Sequence, residues 1–366
     1  MRFPSEWNDA DSVYIEIKTT NVAPKSCKNQ SKEYYKVTTH IPTAFTALFL
    51  SLVCVFFPHL VAKSLKESSS LAPAPEEIDC PDRIHFLKTD SSDAILLESD
   101  GHFAMVDAGE DTDNPRGFAG LNLPGHEQEV LAYLKAHAAD ANGKVHLDFV
   151  LGTHSHSDHI GGFDTVILDP DVTVDRAYLK EYDSAKIHDS EVEQWDNQEV
   201  YDQMVNALRQ RNVPIVSHPD GTPFTLGNFT VTLFNTDDPY NENKVGENDN
   251  SFGVLVEKNG TRVFLAGDMD NYTGDEERLA PEIGRVDLLK VGHHSYAGSS
   301  TLPFIRTLRP KAFVVTNNGA SADSNTISRL VWVCRHRNVY FTGNENGVLA
   351  VIGDNGDIAY YGGVCR

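Results

Sequence analysis

Apolar positions are laid out along this chain in three ways. Across 41–62 they form a run that no charge interrupts, IPTAFTALFLSLVCVFFPHLVA. It is about long enough to cross a bilayer and apolar on every face, which favours lipid over a globular core. Across 83–106 they alternate with polar positions: Arg83 to Leu87, Ala94 to Glu98 and Phe103 to Val106, with turns such as Ser99-Asp100-Gly101 between them. Period two with polar turns predicts strands joined as hairpins. The period then lengthens. Val130, Leu131 and Leu134 share a helical face over 126–138, and Val200, Met204 and Leu208 recur every four residues over 197–211. Both stripes read as core-packing helices. Short apolar strands are expected at 145–151, 229–234, 252–257, 263–266 and 286–291, with Asn259-Gly260 turning between the third and fourth. The alternation of strand and helix continues through 312–316 and 327–335, which predicts an α/β fold.

This pattern divides the chain into a polar flexible tail (1–40), a single transmembrane helix (41–62), a Ser/Ala/Pro-rich linker (63–79) and one folded domain (80–366). Lys25, Lys28, Lys32 and Lys36 precede the apolar run and Lys63 and Lys66 follow it. That bias places the N-terminus inside and the domain outside the cell membrane. The charged stretch before the run is long for a cleaved leader, so a retained anchor is expected. With 40% hydrophobic and 23% charged residues the chain is globular rather than disordered. Its net charge of -22 argues against binding a phosphate backbone. None of Cys27, Cys54, Cys80, Cys334 and Cys365 lies in a C-x-x-C pair, so a cysteine-type zinc site is not indicated. Cys80 and Cys365 fall at the two ends of the folded part, where either a disulfide or two free thiols would be at home.

Chemistry gathers at strand ends. The apolar stretch 145–151 runs into Thr153-His154-Ser155-His156-Ser157-Asp158-His159-Ile160-Gly161-Gly162. In an extended segment His154 and His156 leave the same face and can grip one cation. Asp158 and His159 point elsewhere and suit a second, and imidazole with carboxylate is a donor set that fits Zn2+. Three other strands end in Asp107-Ala108-Gly109, in Gly267-Asp268 and in Gly292-His293-His294. Asp268 could bridge two ions through its carboxylate.

In this order the motifs H-x-H-x-D-H, the earlier D-x-G, the later G-D and the late histidine resemble the metallo-β-lactamase superfamily over roughly 82–318. The resemblance implies a four-layer αββα sandwich with a two-metal site, two divalent ions and Zn2+ first among the candidates, at one edge of the inner sheets. Asn248-Asp249-Asn250-Ser251 and the stretch from Asp287 to His294 with Ser299-Ser300 are similar to one branch. It holds the hydrolase domain of bacterial DNA-uptake (competence) proteins and the teichoic-acid phosphorylcholine esterases. Trp195-Asp196-Asn197 and Gly267-Asp268-Met269-Asp270-Asn271 are closer to the esterases. Carried over by position, His154, His156 and Asp268 would hold the first ion. Asp158, His159, Asp268 and His294 would hold the second, with His293 the other choice for that last place. Asp107 and Asn250 would support these ligands from outside. Two departures stand out. His218 is the only histidine between His188 and His293 and is read as a loop residue, and the family's His-His-Gly-Ser is here His294-Ser295-Tyr296.

The implied activity is that of a membrane-anchored, outward-facing, metal-dependent phosphodiesterase. Asp158 would orient the attacking water, and His293 would give a proton to the departing alkoxide. For a phosphorylcholine-like substrate Tyr182, Trp195, Tyr240, Tyr272 and Tyr296 are candidates for an aromatic cage. A nuclease of the DNA-uptake type would need a basic groove, for which Lys290, Arg306, Arg309 and Lys311 are candidates. A non-catalytic surface binder on the same fold is the third reading. No protein partner is indicated, and Asn228, Asn259 and Asn271 each start an N-x-S/T pattern.

Overall fold

The computed structural model describes residues 71–112, 124–237, 244–319, 321–333 and 338–365. The apolar run 41–62 and the tail before it lie outside the described residues, as do Cys27, Cys54 and Cys334. Among the described residues no helix is long and apolar enough to cross a membrane.

The strands are β1 (Arg83–Phe86), β2 (Ala94–Ser99), β3 (His102–Ala108), β4 (Val145–Leu147), β5 (Phe149–Leu151), β6 (Val172–Val174), β7 (Ala177–Tyr178), β8 (Ile215–Val216), β9 (Phe224–Leu226), β10 (Phe229–Phe234), β11 (Gly253–Lys258), β12 (Thr261–Leu265), β13 (Leu288–Lys290), β14 (Ala312–Val315), β15 (Val339–Phe341), β16 (Val348–Ile352) and β17 (Ile358–Gly362). The helices are α1 (Glu127–His137), α2 (Ser157–Ile160), α3 (Phe163–Leu168), α4 (Asp189–Gln194), α5 (Asn197–Gln210), α6 (Asp275–Ile283), α7 (Leu302–Leu308), α8 (Ser324–Val333) and α9 (Thr342–Glu345).

One sheet has the order β17-β16-β1-β2-β3-β5-β7-β8 and the other β15-β14-β13-β12-β11-β10-β9, while β4 and β6 form a separate ribbon. Each large sheet changes character part-way. In the first, neighbours are antiparallel as far as β3 and parallel from β3·β5 onward. In the second the change falls at β12·β13. Tight turns serve the antiparallel halves, and helical crossovers serve the parallel halves. Ligand-type residues close β3 and follow β5, β12 and β13, the strands at the two changeovers.

The two sheets face each other. Ile84, Leu97, Val106 and Leu151 of the first interlock with Val231, Val254, Leu288 and Val314 of the second in one buried cluster. On the far face of the first sheet Leu96, Met105 and Val150 meet Val130 and Leu134 of α1, Phe163 of α3, and Val200, Met204 and Leu208 of α5. Strand β2 is thus buried on both faces, which is why it reads AILL rather than a strict alternation. On the other side Phe264 of β12 meets Phe304 of α7 edge-on, with α6 and α8 beside α7. The architecture is the expected α/β, αββα arrangement.

Two expectations change, and one open choice closes. The stretch 145–151 is two strands, because its phase flips at Asp148. Val145 and Leu147 face the helices, whereas Phe149 and Leu151 face the opposite sheet. Asp148 makes the break, its N–H donating to the Phe103 carbonyl at 2.8 Å and its carboxylate holding His102 Nδ1 at 2.7 Å. Ordered structure also begins before Cys80. Leu71 packs on the inter-sheet core, and 72–74 exchange backbone hydrogen bonds with Gly362 of β17 at 2.8 and 3.0 Å. Cys80 and Cys365 are both free thiols. Cys80 Sγ lies beside the Ile352 carbonyl before β1, and Cys365 Sγ accepts from Lys88 N–H after it. The strand between spans roughly 10 Å, which exceeds the Cα separation a disulfide tolerates.

Asp82 ties the two sheets together. It is fully buried and binds Ser99 Oγ at 2.5 Å, Asn228 Nδ2 at 3.2 Å and Lys258 Nζ at 2.5 Å. Removing one partner of a buried ion pair strands the other. Asp82→Ala should therefore lower the urea-unfolding free energy by about 3–5 kcal/mol, and a loss below about 1 kcal/mol would show that Lys258 finds full compensation elsewhere.

Candidate metal centre

The site begins with Asp107, which leaves β3 in a left-handed conformation (φ 57°). Its Oδ1 accepts the Thr153 N–H at 2.8 Å, and its Oδ2 accepts the Thr153 hydroxyl and faces His159 Nδ1, each at 2.8 Å. One carboxylate thus fixes both the start and the end of the histidine loop. The loop presses so closely on β3 that a Cβ at Gly162 would lie 2.4 Å from the Ala108 carbonyl oxygen.

From the other sheet, β12 delivers Asp268, whose N–H donates to Ser251 Oγ at 3.2 Å. After β13 three residues in succession are left-handed: His293 and His294 at φ 47° and Ser295 at φ 69°. The kink leaves the centres of the consecutive imidazoles 6.2 Å apart, with His294 wholly buried and a quarter of the His293 side chain exposed.

Donor atoms of Asp158, His159, Asp268 and His294 lie within 4.8 Å of one another, all buried. His159 Nε2 is 3.1 Å from Asp268 Oδ1 and 3.2 Å from His294 Nε2; His294 Nε2 is 3.3 Å from Asp158 Oδ2 and 3.4 Å from Asp268 Oδ2. The far nitrogens are held from behind, Nδ1 of His159 by Asp107 and Nδ1 of His294 by Asp93 Oδ1 at 3.3 Å and Thr316 Oγ1 at 3.1 Å. A carboxylate behind each imidazole is how metal-binding histidines are oriented. Asp158 Oδ1 is buried with no hydrogen-bond partner, an open acceptor. These residues fit a divalent cation.

Without a cation, protons answer the charge. Burial opposes ionisation of His159 and His294, but Asp268 and their other carboxylate neighbours outweigh it and hold both rings well above the ordinary histidine range. Burial likewise opposes ionisation of Asp268, which His159 and His294 hold well below the ordinary range. Metal entry must displace these protons.

The first-ion pair lies next to this cluster. His154 Nε2 and His156 Nδ1 face each other at 2.9 Å, and the His154 and His159 ring centres are 4.2 Å apart. Thr153 Oγ1 touches His154 Nδ1 at 3.0 Å, and Glu191 Oε1 touches His156 Nε2 at 2.9 Å. The two nitrogens left for a cation therefore point together, but the ion pairs of Asp268 fall on the His159–His294 side. His218 is not among the converging donors. Asn250 supports the ligand loop from outside. Its Nδ2 donates to Glu247 Oε1 at 3.3 Å, the oxygen that also accepts the Ser155 N–H at 2.9 Å, so it braces the loop through Glu247.

Asp93, Glu191, Glu247 and Thr316 escaped the sequence reading, since each precedes or follows a motif without forming one. Lys290 was misplaced. It has no exposed surface and is bound to Asp93, so it lines no basic groove. Arg306 stacks over Trp332 at 4.6 Å, and Lys311 pairs with Asp287 at 2.8 Å.

The sequence pattern of the β-lactamase superfamily domain matches residues 102–298, more than half the chain, and takes in every converging donor. The chain belongs to the β-lactamase superfamily. Membership and the buried His/Asp cluster support a metal-dependent enzyme of the metallo-β-lactamase fold. ComE operon protein 3 of Bacillus subtilis (strain 168) is 25% identical over 181 residues, which cover 48% of this chain and 20% of that protein. The chain thus spans about a fifth of the curated relative it matches. Two solved structures are similar in fold. The metallo-β-lactamase fold protein YhfI from Bacillus subtilis has 13% identity and a TM-score of 0.43, covering 71% of this chain and 96% of its own. Zn(2+)-bound PqqB from Methylobacterium extorquens has 14% identity and a TM-score of 0.40, covering 68% and 84%.

His294→Ala and His293→Ala should separate the two histidines. The first should lower bound metal per chain, measured by elemental analysis after dialysis, by about one ion, since metal sites rarely tolerate loss of a ligand. The second should leave it unchanged. Equal losses would place both rings on metal.

Proposed function

We propose that the domain is a metal-dependent phosphodiesterase acting on a cell-surface or extracellular phosphodiester, phosphorylcholine-esterase-like, held at the membrane by residues 41–62 and facing outward. The observation that carries the reading is the convergence of Asp158, His159, Asp268 and His294 beside a histidine left at the rim.

Asp158, His159, Asp268 and His294 would hold one ion, and His154 and His156 the other. Bound there, divalent ions supply the Lewis acidity that makes water a nucleophile at neutral pH and offsets charge on a phosphoryl group. The protein's residues supply position. Asp158 spends Oδ2 on His294 and leaves Oδ1 without a hydrogen-bond partner, an acceptor free to orient the attacking water. At the rim His293 is 3.7 Å from Asp268 Oδ2, and Asn248 Nδ2 touches its ring at 3.3 Å.

Burial pushes His293 down to about 4, so the ring is neutral at pH 7. That does not suit a donor of a full proton to the alkoxide, the role expected from sequence. A neutral ring still offers one N–H, and we assign it as a hydrogen-bond donor to a phosphoryl oxygen.

Two of the five cage candidates stand at the site. Trp195 stacks on His156 with centres 5.2 Å apart, and Tyr296 meets His293 edge-on at 5.2 Å. Tyr182 is buried beside Tyr201, Tyr272 is 75% exposed, and Tyr240 lies outside the described residues. Trp195 and Tyr296 are walls that a quaternary ammonium could meet. The burial of Lys290 weighs against a nuclease, and the resemblance to the hydrolase domains of DNA-uptake proteins keeps DNA as the comparison substrate.

The test is turnover of p-nitrophenyl phosphorylcholine, bis-p-nitrophenyl phosphate and single-stranded DNA by the full chain, with and without chelator. Chelator-sensitive turnover led by the phosphorylcholine ester is expected, and His293→Gln should lower kcat about a hundredfold with metal content unchanged. DNA cleavage with neither ester turned over selects the nuclease, and no chelator-sensitive turnover of any of the three removes the reading.

A further inference from the structure

Lys290 is an odd residue to find beneath a site that collects cations. It ends β13, with Leu289 before it and Val291 after it, all three at 0% exposure. Its ammonium is ion-paired with Asp93 Oδ2, donates to the Gly267 carbonyl at 2.9 Å and lies 3.8 Å from Asp268 Oδ1. An apolar side chain of similar length would fill the same space without a buried charge. The charge therefore has to be explained by what surrounds it.

Asp93 lies between this ammonium and the cluster. Its Oδ1 faces His294 Nδ1 at 3.3 Å, its Oδ2 is 3.9 Å from His159 Nδ1, and its N–H donates to the Asp158 carbonyl at 3.0 Å. The pair touches three of the four converging donors through side chains, His294, His159 and Asp268, and the fourth, Asp158, through its backbone. It thus stands where a fixed positive charge would bind the carboxylates together before any metal arrives. The same charge would oppose a cation once one arrives, unless Asp93 screens it.

We propose that Lys290 is a resident counter-ion of the metal centre. Its ammonium holds Asp93, the Gly267 turn and Asp268 in register in the metal-free protein, and it lowers the affinity of the site for divalent cations by an amount that Asp93 offsets. Lys290 and Asp93 are positioning residues and act through His294 and Asp268. The inference rests on reading the cluster as a metal centre.

Electrostatic and packing roles give opposite signs. Removing the ammonium leaves an uncompensated Asp93 next to the ligands, so affinity should rise. Removing the Asp93 charge leaves the ammonium unscreened beside Asp268, so affinity should fall. Removing both charges should nearly cancel, whereas losses of packing accumulate.

The experiment strips the full-length chain with EDTA and titrates it with Zn2+ against a chromophoric chelator, for wild type, Lys290→Met, Asp93→Asn and the double variant. Lys290→Met should bind roughly tenfold more tightly, Asp93→Asn roughly tenfold more weakly, and the double variant within about threefold of wild type. Melting of the metal-free proteins should fall for each single variant and recover in the double. If Lys290→Met fails to fold, Asp93→Asn and its rescue in the double variant decide the matter. Weaker binding in both singles, with the double weaker still, overturns the proposal in favour of packing. Variants indistinguishable from a wild type that binds Zn2+ overturn it alone, and a wild type that takes up no Zn2+ overturns the metal-centre reading with it.

Discussion

Asp93, Asp107, Asp158 and Asp268 bring four carboxylates, none more than 8% exposed, into one small volume, and the arrangement of this domain follows from how their charge is answered. Like charges at this spacing in a poorly solvated place cannot all persist unless cations, protons or donors meet them. Each has its own set of partners. Asp107 takes the Thr153 N–H and hydroxyl and faces His159, Asp93 takes Lys290 and His294, and Asp158 and Asp268 face the two imidazoles. The strands bring these groups together and the inter-sheet core keeps the strands in place. A rearranged core residue two layers away would therefore be felt at the site as a change in charge spacing.

The location of the site has a simple cause. Strands β3 and β5 are the first parallel pair in one sheet, and β12 and β13 are the first in the other. Where antiparallel pairing gives way to parallel, chains leave neighbouring strands from the same end, and their loops must diverge to reach different crossovers. The gap between diverging loops is where α/β sheets admit ligands. Here two such gaps face each other across the inter-sheet core, and each contributes an acid and a histidine.

Much of this could be read from the residues. Period two marked the antiparallel half, and ligand-type residues at strand ends named Asp107, His154, His156, Asp158, His159, Asp268, His293 and His294. What escaped depended on long-range geometry. Asp93 is one Asp in a Ser-Ser-Asp turn, and only its packing against His294 and Lys290 distinguishes it from any polar turn. Glu191 sits on a helix with no buried stripe of its own, and only the fold brings it to His156. Lys290 did carry a signal that was misread. A lysine inside Leu-Leu-Lys-Val is more readily a buried pair than a groove cation, because the strand around it has no solvent face. The split at Asp148 was hidden because apolar residues on both sides of a phase flip still look continuous in one dimension.

The departure from the family's His-His-Gly-Ser also finds its physical meaning here. Ser295 keeps the left-handed backbone that glycine would adopt without cost, at about 1–2 kcal/mol for a residue with a Cβ. Its neighbours His293 and His294 carry the same conformation. The backbone is held by bonds from three directions: His293 N–H to the Gly267 carbonyl at 3.2 Å, Asn317 Nδ2 to the His294 carbonyl at 3.2 Å, and Asp323 N–H to the Ser295 carbonyl at 3.0 Å. Strain of this kind persists only where the surroundings over-determine it. It also accomplishes something an extended chain could not. Successive side chains on a strand point to opposite faces, which would carry one histidine away from the cluster altogether. The left-handed kink instead keeps both at the site, one among the carboxylates and one at the rim. Each strained residue thus has a use, and glycine's freedom at Ser295 would loosen a turn whose value lies in having one shape.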